Sequence, residues 1–72
     1  MRFDYNKLNG RIIEKCGKRS VFASKMNTSE HTISVKLNNK VQFKQEEILK
    51  ACDVLSIAVK DIPAYFFVVD VQ

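Results

Sequence analysis

Few side chains in this 72-residue sequence are of the kinds that make or break bonds, and none of them sits in a constellation that would do so. His31 is the lone histidine, and Cys16 and Cys52 are the only cysteines. No Ser or Cys is placed as an activated nucleophile, no glycine-rich phosphate loop occurs, and no paired-carboxylate motif is present. Without further Cys or His at ligand spacing, a metal site is not expected, and the two cysteines read as free thiols on the inner faces of helices. His31 reads as a surface contact residue rather than a ligand or a base. An enzyme is therefore not expected, nor a cofactor or small-molecule substrate. What remains is recognition chemistry.

Charge gives that recognition a direction. Residues 1–44 carry ten Lys or Arg against three Asp or Glu, whereas residues 45–72 carry two against five, so the segments hold about +7 and −3 of the net +4. Such a split favours a basic face turned toward a polyanion or an acidic partner. At 72 residues the chain is expected to form one domain with a single modest core. Its 46% apolar content, two glycines and one proline suit a helical protein. No apolar run approaches the ~20 residues that span a bilayer, and no signal peptide is visible, so a cytosolic protein is expected.

The elements that would position a contact surface lie in residues 19–38, RSVFASKMNTSEHTISVKLN. Two amphipathic segments, 21–26 and 30–37, flank Asn27-Thr28-Ser29. Ala23 sits mid-way through the first, where a larger side chain would hold two helices apart. Ile33 and Leu37 put an i, i+4 apolar ridge on the inner side of the second. Asn27 tolerates a left-handed turn, Ser29 supplies an N-cap, and Glu30 suits the positive end of the helix that follows. The spacing predicts a helix-turn-helix.

The stretch RSVFASKMNTSEHTISVKLNNK resembles the helix-turn-helix of the lambda-repressor-like phage regulators. The chain as a whole looks like the small temperate-phage proteins encoded opposite the lysogeny repressor, which include Cro-type repressors and the antirepressors called modulators of repression. The flanking phrases FDYNKLNGRI, FKQEEILKACD and IPAYFF strengthen the match to the second group. The resemblance implies an all-α, five-helix domain in the cytosol of a bacterial host. It also implies contacts from the start and outward face of the third helix and from the start of the second. On this sequence those positions are Arg19, Glu30, His31, Ser34 and Val35, with Asn38 just beyond, while Lys18, Lys40 and Lys44 could meet phosphates.

As a DNA-reading set, two of these residues are unusual. Glu30 can accept only from cytosine N4 and is repelled by phosphate, and Val35 offers a thymine methyl contact at best. One acid beside one apolar residue suits a protein surface with a basic rim and an apolar patch. Together with these two residues, the resemblance to the modulators of repression implies as partner the N-terminal, DNA-binding domain of the cognate repressor. The alternatives are a Cro-like operator binder, with the lysines on phosphates, and a corepressor acting with the repressor on DNA.

The flanks predict further elements. Asp4 should cap a first helix, with Phe3 stapled to Leu8 and a stripe of Leu8, Ile12 and Cys16 edged by Tyr5 and Ile13. Gly10 within it reads equally as close backbone packing or as a tolerated glycine, and Gly17 should end it in a left-handed cap. Ser20 should cap the second helix. Asn38-Asn39-Lys40 should turn into a fourth, with Gln45 reaching back to Gln42 and with Ile48, Leu49, Cys52 and Leu55 forming the core's floor. Pro63 should break a short fifth element. The aromatic and β-branched residues 65–71 favour extended chain that covers the core, or else a strand edge pairing with residues 1–3 or with another chain.

Overall fold

Five amphipathic stretches become five helices in the computed structural model of the protein, which describes residues 1–71. α1 (Asn6–Cys16) buries Leu8 and Ile12, and α2 (Arg19–Lys25) buries Phe22 and Ala23. α3 (Glu30–Leu37) turns Ile33 and Leu37 inward, and α4 (Gln45–Leu55) does the same with Ile48, Ala51, Cys52 and Leu55. A 3₁₀ turn, Val59–Asp61, leads into α5 (Ile62–Phe66), which adds Phe66 and carries Pro63 in its first turn, where the missing N–H costs no helical bond. The fold is all-α, as both composition and resemblance predict. No helix among the described residues is long and apolar enough to cross a membrane.

α1 is the middle of the molecule, packed on α2 to one side and on α4 and α5 to the other, while α3 packs chiefly on α2. The joints are local. Gly17 closes α1 at φ +84°, donating its N–H to the Ile13 carbonyl. Asn27, at φ +61°, turns the chain between α2 and α3, and the Ser29 hydroxyl then accepts the Thr32 N–H at 3.1 Å, a true N-cap.

Several local expectations move by a residue or a face. Tyr5, not Asp4, occupies the N-cap of α1, but the Asp4 carboxylate still accepts the Asn6 N–H at 2.8 Å. α2 begins at Arg19, which puts Ser20 inside the helix and Lys18 at the cap. At α4 the side chain reaching back is that of Glu47, onto the Lys44 N–H at 2.7 Å, rather than Gln45 onto Gln42. Leu49 is 55% exposed, and Ala51 takes its place inside. Cys16 is only half-buried, Ile13 faces solvent, and no atom lies near the space a side chain at Gly10 would fill.

Tyr65 and Phe66 close α5 as helix instead of the extended chain expected from residue 65 on, because Pro63 in the first turn starts the helix rather than breaking it. Only the residues beyond form the tail. Phe66 enters the core, and beyond it Val69 pairs antiparallel with Phe3. The Asp4 N–H donates to the Val68 carbonyl at 2.7 Å, and the Asp70 N–H donates to that of Arg2 at 2.9 Å. The other edge of Phe3 is closed by one side chain. Its N–H donates to Asn39 Oδ1 at 2.7 Å, and its carbonyl accepts from Asn39 Nδ2 at 3.0 Å.

Candidate functional site

The 3.6-residue period puts Glu30, Ser34 and Asn38 in one row along α3, with His31 and Val35 in the row beside it. Glu30, His31 and Asn38 are exposed, whereas Ser34 and Val35 are half-buried. The row ends where α3 ends. There the backbone N–H groups of Asn38, Asn39 and Lys40 return to the carbonyls of Ser34, Lys36 and Val35, leaving the Asn38 side chain in solvent.

Arg19 stands apart from this row. It is half-buried at the start of α2, and its guanidinium donates to Asn9 Oδ1 of α1 at 3.1 Å, so the N-terminus of α2 is tied to the middle helix. Lys18 and Lys40 are exposed, on either flank of the α2–α3 unit in the chain. Lys44 belongs to a different grouping: it is the N-cap of α4 and lines a cleft between α3 and α4 with Met26, Ile33, Lys36 and Glu47.

That cleft contains a feature absent from the sequence reading. Lys36 is 7% exposed, on the inner side of α3 between Ile33 and Leu37, and its ammonium donates to Glu47 Oε2. Burial by itself pushes the Glu47 carboxyl up. The hydrogen bonds from Lys36 and from the Lys44 N–H, with the charges of both lysines, outweigh burial and hold it below its usual value. α3 is thereby pinned to the first turn of α4. The inner spacing 33, 36, 37 was the available signal, and a lysine at its centre disguised it.

A second feature lies between α2 and α3. A shallow hollow is lined by Ser20, Ala23, Ser24 and Asn27 from α2 and its turn, and by Thr28 and Glu30. Both cysteines are free, Cys16 half-buried and Cys52 buried, and burial pushes the Cys52 thiol up, which keeps it protonated. Among the described residues, no group of three or more His, Cys, Asp or Glu could hold a metal ion.

Residues 1–69 match the family described as "Protein of unknown function (DUF739)". Among solved structures, the chain is similar to the modulator of repression (MOR) of the temperate bacteriophage TP901-1 from Lactococcus lactis. The two share 54% identity and superpose with a TM-score of 0.83, over 93% of this chain and 90% of that one. No protein of curated function matches the sequence.

Proposed function

This chain belongs to the DUF739 family and to the same family as the phage modulator of repression, and from that membership we propose that it regulates the lysogeny repressor of a temperate phage. It does so as a binding protein, not as a catalyst. It docks on the repressor's N-terminal, DNA-binding domain through the outer side of α3 and the start of α2, masks the surface that reads the operator, and so favours the lytic state. The observation that carries this is the 54% identity to a modulator of repression over 93% of the chain. The character of α3 supports it: an exposed carboxylate, Glu30, stands where a DNA reader would meet phosphate. Glu30 pairs with a cation of the repressor, Val35 makes an apolar contact, and His31, Ser34 and Asn38 orient the pair by hydrogen bonds, with Arg19 steadying the start of α2.

Reversing the charge at Glu30 tests it. The side chain is exposed and makes no ion pair among the described residues, so Glu30→Lys forfeits only a helix-end interaction of about 0.5 kcal/mol in the free protein. Affinity for the purified repressor domain should fall at least tenfold with the helical circular dichroism unchanged; an undiminished affinity would refute the assignment. The exposed Lys18, Lys40 and Lys44 support a second reading, direct operator binding. That reading requires a shift of operator DNA by this protein alone, with steep loss of affinity in salt. A shift only when repressor and this protein are both present would instead mark a corepressor.

A further inference from the structure

We infer that the hollow between α2 and α3 is a socket for one cationic side chain of the repressor surface, an arginine by preference; this deepens the function proposed above and rests on it. α2 contributes positions i, i+3, i+4 and i+7, namely Ser20, Ala23, Ser24 and Asn27, and the turn into α3 adds Thr28 and Glu30. Ala23, 2% exposed, makes a floor with nothing projecting from it. The other five lining residues all carry side-chain oxygen atoms.

Three observations give the hollow its sign. Glu30 is its only ionised lining residue and has no ion-pair partner among the described residues. Ser20, Ser24, Asn27 and Thr28 have no side-chain hydrogen bonds within the described chain, so their acceptors are free. The nearest cations along α2 are directed elsewhere: Arg19 is drawn to Asn9, and Lys25 lies a helical step away from the Ser20–Ser24 row.

A phosphate placed here would meet the Glu30 carboxylate, which already occupies the partial positive charge at the start of α3, with no full cation in the lining to offset it. A guanidinium, with five donors in one plane, meets a carboxylate and a ring of hydroxyl and amide oxygens. The partner's chemistry supplies the ligand. A repressor surface that neutralises phosphates and reads guanine must present Arg or Lys. The hollow therefore takes from the repressor a side chain that the operator would otherwise engage.

The test uses two long substitutions of opposite charge at Ser24, which is exposed and leaves the fold unburdened. Ser24→Arg supplies the socket with its own guanidinium and should weaken binding of the purified repressor N-terminal domain at least tenfold. Ser24→Glu adds a second acceptor and should keep or tighten it. Equal losses in both variants would mean that the hollow is merely close to the partner and receives no cation, and unchanged affinity in both would mean that it is not contacted; either overturns the socket while leaving the antirepressor function intact. A wild-type chain that fails to bind the repressor domain would overturn both.

Discussion

Lys36 is the one buried charged residue among those described, and it has a single carboxylate partner. Its stem fills space between Ile33 and Leu37 while its ammonium meets Glu47. Removing one member leaves the other charge largely desolvated, so Glu47→Gln should destabilise the fold by roughly 3 kcal/mol in urea melts. Replacing both by apolar residues should recover much of that loss. The pair also sets a pH dependence. Because the folded-state value of Glu47 lies below its ordinary one of 4.5, its contribution is complete above that value and is lost as pH falls through the lower, folded value. Melts from pH 7 down to pH 3 should show stability falling at the acid end, with a smaller fall in Glu47→Gln. An identical fall in both would mean that other carboxylates dominate.

At the scale of elements, the joints rather than the helices carry the specificity. Asn39 follows α3 at φ +63° and offers Phe3 both an acceptor and a donor, acting as a one-residue strand. Asn39→Ala removes both bonds and strains the backbone, and should cost about 2–3 kcal/mol by chemical denaturation. A cost under 0.5 kcal/mol would show that the clamp is dispensable. The α2–turn–α3 unit was legible in the sequence because everything that specifies it is local: Asn27 for the turn, Ser29 for the cap, and Ala23 against Ile33 and Leu37. Leu49 was misplaced because i, i+1, i+4, i+7 covers both edges of a helical stripe. Packing on α1 and α5 decides which edge is buried, and the small Ala51 gave no hint. The α3 row could be read from period alone. Neither the Lys36–Glu47 pair nor the hollow could, since each needs two helices brought together. Asp4 and Ser20 are good capping residues one or two positions from where the helices begin, so preference located the caps only approximately.

Across the whole molecule, α1 transmits position from one side to the other. Its Arg11 guanidinium donates to the carbonyls of Leu55 and Ser56, both at 2.9 Å, closing the C-terminus of α4, while Asn9 holds Arg19 at the start of α2. The face proposed for the repressor thus rests on a frame tied to α2 and to the end of α4 by two neighbouring residues, Asn9 and Arg11, of the middle helix. The Phe3–Val69 pairing has a different consequence. It lays residues 2–4 and 68–70 side by side, so a peptide ligation joining the segments on either side through a few glycines would make a ring without bending any helix. Circularisation would deprive the denatured ensemble of up to ~4 kcal/mol of chain entropy. The ring should melt at a clearly higher temperature than the linear form and resist exopeptidases; coincident melting curves would show that the paired segments part in solution.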